Sequence, residues 1–215
     1  MESKFERNRR WERGGMLLHA FVSATRANGP GLRAVIYFQG CTLNCSGCWN
    51  RRTQKFKGQD LAVRDVAQLF EEARGLERLE GVTFSGGEPM QQAEALLNLM
   101  DQIHQAAPSV SFGMFTGYTE AELAAGQYMT RPKATPERRQ DLWRSVQRLL
   151  DFAVMGRYDR TQPATEPLRT SRNQRLVLFS DRYQADDFGP QLVEINVGST
   201  GKTVLTGFPL LGIPG

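Results

Sequence analysis

Short apolar runs alternate with longer amphipathic ones along this chain, and that rhythm is its first structural signal. Residues 16–23 alternate well enough to predict a strand, and Asn28-Gly29-Pro30-Gly31 then imposes a turn. Residues 32–38 (LRAVIYF) are rich in β-branched and aromatic side chains and predict a buried strand ending just before Gly40. Leu61, Val66, Leu69, Phe70 and Ala73 keep helical spacing, with Asp60 as the expected cap and Gly75 as the expected end. Further strands are predicted at 81–85, 110–115, 152–155 and 175–179. Between them fall a helix over 91–107 stopped by Pro108, a short helix from a Thr119 cap to about Ala125, and a helix over 136–150. Alternation of this kind predicts an α/β fold with parallel strands joined by helical crossovers.

Two stretches break the rhythm. Residues 126–140 are polar and contain proline, which predicts an exposed insertion. Residues 192–197 and 202–206 flank Gly198-Ser199-Thr200-Gly201 and predict an appended β-hairpin. The expected organisation is therefore an N-terminal extension (1–15), a core (16–180) and a C-terminal hairpin tail (181–215).

Composition narrows the class. With 215 residues, 40% apolar and 23% charged, the chain suits one α/β domain with a real core, and no run approaches the ~18 apolar residues of a membrane span. Its first 15 residues carry both charge signs and lack the apolar stretch of a secretory signal, so a cytoplasmic location is expected. The net charge of +4 is spread out, with clusters only at 7–13 and 131–139 that read as solvated surface, which argues against a nucleic-acid partner.

Cysteine placement changes the picture most. All three cysteines fall within eight residues, Gly40-Cys41-Thr42-Leu43-Asn44-Cys45-Ser46-Gly47-Cys48-Trp49-Asn50, an odd number too closely spaced for disulfides. C-x3-C-x2-C on one loop can reach three corners of a cubane iron–sulfur cluster and leave the fourth iron open. The rival is a Cys3His zinc site, for which only His19, mid-strand, and His104, on a helix, are available; neither has ligand spacing to the loop, so the iron–sulfur reading takes precedence. An inert group of buried cysteines is the remote third reading.

The cysteine loop after one strand and Ser85-Gly86-Gly87-Glu88-Pro89 after the next resemble the radical S-adenosylmethionine (SAM) superfamily. Asn28-Gly29-Pro30-Gly31 with Arg33, Trp49-Asn50 after the third cysteine, Thr116-Gly117-Tyr118, and Met155-Gly156-Arg157-Tyr158 followed by Ser171-Arg172-Asn173-Gln174 resemble the activating enzymes of glycyl radical enzymes, above all that of the anaerobic class III ribonucleotide reductase. Departures are Met155, where an aspartate is usual, and Arg172 within a Ser-Ser-Asn pattern. The resemblance runs over about residues 16–180.

It implies a partial (β/α) barrel and a [4Fe-4S] cluster on Cys41, Cys45 and Cys48. It further implies SAM held near Gly47, Trp49, Gly86, Gly87, Glu88 and Thr116. Each of these has a plainer reading: Gly86-Gly87 as a strand-to-helix turn, Glu88 as a carboxylate at a helix start, Trp49 as loop packing and Thr116 as a turn. The implied partners are a glycyl radical enzyme, the large subunit of anaerobic ribonucleotide reductase foremost, and a flavodoxin- or ferredoxin-type electron donor. No acid–base residue is assigned, because the cofactor carries the chemistry. Three cysteines leave none for a second cluster. The alternatives are a small-molecule or peptide enzyme resembling the carboxy-deazaguanine synthases, and a non-catalytic metal-binding module.

Overall fold

The computed structural model describes residues 15–190, 192–197 and 203–207. The expected N-terminal arm and the turn 198–201 lie outside the described residues. Seven strands make one sheet in the order β3-β1-β2-β4-β5-β6-β7, where β1 is Gly15–Thr25, β2 Arg33–Phe38, β3 Gln59–Ala62, β4 Gly81–Gly86, β5 Ser111–Thr116, β6 Phe152–Met155 and β7 Arg175–Leu178. Helices α1 (Val63–Leu76), α2 (Ala93–Ala106), α3 (Glu120–Ala124) and α4 (Pro136–Leu149) lie between them. A separate antiparallel pair, β8 (Val193–Val197) and β9 (Thr203–Gly207), is the expected hairpin.

The centre of the sheet, β2-β4-β5-β6, is parallel as alternation predicts. Its flanks are not: β1 runs antiparallel to β2 and β3, and β7 antiparallel to β6. The cause is connection length and content. Only residues 26–32 separate β1 from β2, too few for a crossover, and residues 156–174 return the chain to β7 without a helix. Among the described residues the sheet does not close into a barrel; β3 and β7 are its two edges.

Asp60 caps no helix. It lies in β3 opposite Leu17, and α1 begins after Ala62 without a side-chain cap. Gly75 falls inside the last turn of α1 rather than after it. The run 59–62 is an edge strand, where pairing with β1 outweighs helix-start chemistry.

Side chains alternate between the two faces of the parallel strands. Ala34, Ile36, Phe38, Val82, Phe84, Phe112, Met114, Ala153 and Met155 pack against Val66 and Phe70 of α1, Leu96 and Met100 of α2, and Leu142 and Trp143 of α4. On the opposite face Phe152 and Val154 meet Leu168, Phe188 and Tyr183. Arg33 is wholly buried on that face, donating to the Thr83 hydroxyl at 2.8 Å, the Ser111 hydroxyl at 2.8 Å and the Val82 carbonyl at 3.0 Å, with Phe152 stacked 5.1 Å away. The hairpin ties in through Glu194, whose carboxylate accepts from Arg26 N–H at 2.9 Å and from the Thr25 hydroxyl.

The 126–140 segment corrects its expectation. Tyr128 and Thr130 are buried, and the Tyr128 hydroxyl donates to the Arg139 carbonyl at 2.5 Å. Its polar residues alternate with anchored ones, which composition alone does not display.

Candidate active site

Because β2, β4 and β5 are parallel, their carboxyl ends release three loops at one rim, where α/β folds place ligands. The first is the cysteine loop. Its base is closed by Gly40 N–H on the Thr53 carbonyl at 2.6 Å and Cys41 N–H on the Gln54 carbonyl at 2.9 Å. Gln39, buried beneath it, donates to the carbonyls of Arg52 and Lys55 and pairs with His19 Nδ1 at 2.9 Å. His104 is exposed near the end of α2, and among the described residues neither histidine is grouped with the thiols around one metal position.

The second loop is stitched to the first. Gly87 N–H donates to the Phe38 carbonyl at 2.8 Å and Glu88 N–H to the Gly40 carbonyl at 2.9 Å. A Cβ on Gly87 would sit 2.3 Å from the Gly40 carbonyl oxygen, so glycine is required by the approach of one backbone to the other. Gly86 adds a positive φ of 95°. Glu88, 1% exposed, reaches the third loop: its carboxylate accepts from Thr116 Oγ1 at 2.8 Å, Gly117 N–H at 2.8 Å and Met90 N–H at 3.0 Å. Burial pushes its pKa up to about 7 against those three donors. A carboxylate has about four acceptor positions, so roughly one remains for a ligand.

These loops face a cleft of about 170 Å³, open to solvent at its mouth. Cys41, Cys45, Cys48, Trp49, Gly86, Gly87, Glu88 and Thr116 all line it. Gly47 is not among the lining residues; it turns with φ 73° beside the Arg160 side chain. Trp49, 37% exposed, stands edge-on to Tyr158 at 6.0 Å. Burial pushes the Cys41 thiol up to about 12, with the Glu88 charge adding to the effect, and also raises Cys48.

The donor set fits a cluster. Among the described residues no three His, Cys, Asp or Glu side chains are placed to hold one metal ion, although three thiols face the same cleft. In a cubane each thiolate holds a different iron, which suits sulfurs that share a cavity without sharing a point, whereas tetrahedral zinc at ~2.3 Å from each sulfur draws them together. Burial disfavours the thiolate at Cys41 and Cys48, and cluster iron would supply the local positive charge that favours it.

The family profile described as a 4Fe-4S single cluster domain matches residues 27–177, a span that holds the cysteine loop, Gly86-Gly87-Glu88 and Thr116. The chain belongs to the 4Fe-4S single cluster domain family. This single-cluster protein is similar to the anaerobic ribonucleoside-triphosphate reductase-activating protein of Vibrio cholerae, 32% identical over 54% of this chain and 78% of that one. To its counterpart from Enterobacteria phage T4 it is 26% identical over 69% of this chain and 85% of the other. It is also 33% identical to the pyruvate formate-lyase-activating enzyme of Clostridium pasteurianum, over 45% of this chain and 44% of that enzyme. The family is that of radical SAM activating enzymes, with [4Fe-4S] and SAM as cofactors. No helix among the described residues is long and apolar enough to cross a membrane.

Several residues of the single-cluster site escape sequence reasoning. Asn28, Tyr37, Asn50, Gln54, Tyr158 and Gln174 also line the cleft. Asn28, Asn50, Tyr158 and Gln174 lie inside motifs that carry the family resemblance, so a signal exists; Tyr37 is masked by its place in an apolar strand.

Proposed function

We propose that the chain holds its cluster on Cys41, Cys45 and Cys48, binds SAM in the cleft beside Gly86, Gly87, Glu88, Thr116 and Trp49, and activates a glycyl radical enzyme. The partner best supported is an anaerobic ribonucleotide reductase, because the phage T4 and Vibrio cholerae relatives, each matched over more than three quarters of its own length, carry that name. Bound there, cluster and SAM together supply reductive cleavage to methionine and a 5′-deoxyadenosyl radical.

The residues of the chain position and enclose. Glu88 offers its remaining acceptor position to the SAM ammonium, and its bonds to Thr116 and Gly117 fix where that position points. Trp49 and Tyr158 give the cleft an aromatic wall that suits an adenine face. Gly47 acts indirectly, through the turn that lets Cys48 follow Cys45. A flavodoxin- or ferredoxin-type protein in a reducing cytoplasm serves as electron donor in this reading.

The observation that carries the proposal is the meeting of three thiols and Gly86-Gly87-Glu88 on one cleft. Anaerobic reconstitution followed by reduction and SAM addition tests it: 5′-deoxyadenosine forms, and is lost in Cys45→Ala. Adding the reductase large subunit then yields a glycyl radical signal in electron paramagnetic resonance. Cleavage without that signal sinks the partner assignment; a cluster without cleavage sinks the enzyme reading.

A further inference from the structure

Gln91 is fully buried beside the cysteine loop, and both hydrogens of its side-chain amide are engaged within the protein. Its Oε1 accepts from Thr42 N–H at 3.0 Å, and its Nε2 donates both hydrogens, to Thr42 Oγ1 at 2.7 Å and to the Tyr118 hydroxyl at 2.8 Å. The same Tyr118 oxygen accepts from Met129 N–H at 3.2 Å, and the Gln91 carbonyl accepts from Arg131 N–H at 2.7 Å. Arg131 then reaches over the loop to stack 4.0 Å above the ring of Phe56, which lies against Gly40. Tyr128 packs 5.7 Å from Tyr118 and anchors the segment to Arg139 of α4. The residues on either side of Cys41, Gly40 before and Thr42 after, are thus gripped by one segment.

We propose that residues 126–131, acting through Tyr118 and Gln91, form a brace that positions the cysteine loop at Cys41. The proposal rests on the cluster reading above. Gln91 and Tyr118 are positioning residues: buried, mutually satisfied polar groups fix a geometry in advance of the group that uses it.

Hydrogen–deuterium exchange on the full chain without cluster, paired with iron release to a chelator from the reconstituted protein, tests it. Tyr118→Phe keeps the ring but removes the acceptor of two N–H groups. The Met129 amide then exchanges about tenfold faster, the value of roughly one lost hydrogen bond, and the Thr42 amide, whose acceptor Gln91 loses its own anchor, quickens by a smaller factor, while amides of β2 and β4 hold their rates. Iron release quickens by a similar factor. Arg131→Ala, at an exposed side chain, gives the same pattern at smaller amplitude. Unchanged Thr42 exchange in both variants overturns the brace, and so does a rise spread equally over β2 and β4, which signals general loosening. Because exchange reads the chain's own amides, this outcome is separate from any failure to cleave SAM.

Discussion

Glu88 illustrates how much one side chain joins at this site. It is buried, and it connects the ends of two strands, so its replacement acts on both ligand and scaffold. Glu88→Gln keeps the shape but removes the charge and one acceptor. SAM binding, measured by equilibrium dialysis on the reconstituted protein, weakens by about 10- to 100-fold, as loss of a charge-assisted hydrogen bond implies. Gly87→Ala drives a methyl group into the Gly40 carbonyl. The expected loss is about 2–4 kcal/mol in urea unfolding, together with failure to assemble the cluster. The cysteines, Gly86-Gly87 and Glu88 were legible in the sequence because each motif is contiguous. The pairing of Gln91 with Tyr118 is not legible there, since 27 residues separate them and only the parallel pairing of β4 with β5 brings them together.

At the level of elements, runs buried on both faces, such as residues 81–85 and 152–155, predict strands from composition alone. Edge strand β3 escaped because two of its four residues are polar, and the direction of β1 and β7 escaped because periodicity carries no sense of direction. Segment 181–190 behaves as part of the fold: Phe188 meets Phe152 at 5.2 Å and Tyr183 at 5.9 Å. Phe188→Ala lowers stability by about 3 kcal/mol in chemical unfolding.

The same scale governs the tie between α3 and the loop after β6, where Arg157 pairs with Glu122 at 2.8 Å. Arg157 holds the Glu122 pKa down at about 2, from an ordinary 4.5. A depressed carboxylate stabilises the fold above its unfolded pKa, and that contribution disappears as pH falls from about 4.5 through about 2. Solvent screening keeps it small, so Glu122→Gln removes under about 1 kcal/mol at pH 7 and flattens the acid limb of the stability curve.

At the scale of the whole molecule, the two segments that supply much of the cleft's lining are basic. Residues 40–58 hold four cations and no acid, and residues 156–175 hold five cations against two acids, so these two lining loops exceed the net charge of +4 on the entire chain. A partner with an acidic face is drawn to this rim. Stopped-flow association with the activated enzyme slows about tenfold between low and moderately high salt. An association rate indifferent to salt would remove charge from the account of recognition.

Among the described residues the sheet ends in two edges, β3 and β7, and for the proposed function this sets the topology of access. A residue in the middle of a folded partner's chain arrives as a bight, a length of rope held at both ends. Into a closed ring a bight must be pushed doubled, which needs room for two strands; against an arch it can be laid sideways as one. An unclosed sheet is therefore matched to a substrate that has no free end to offer.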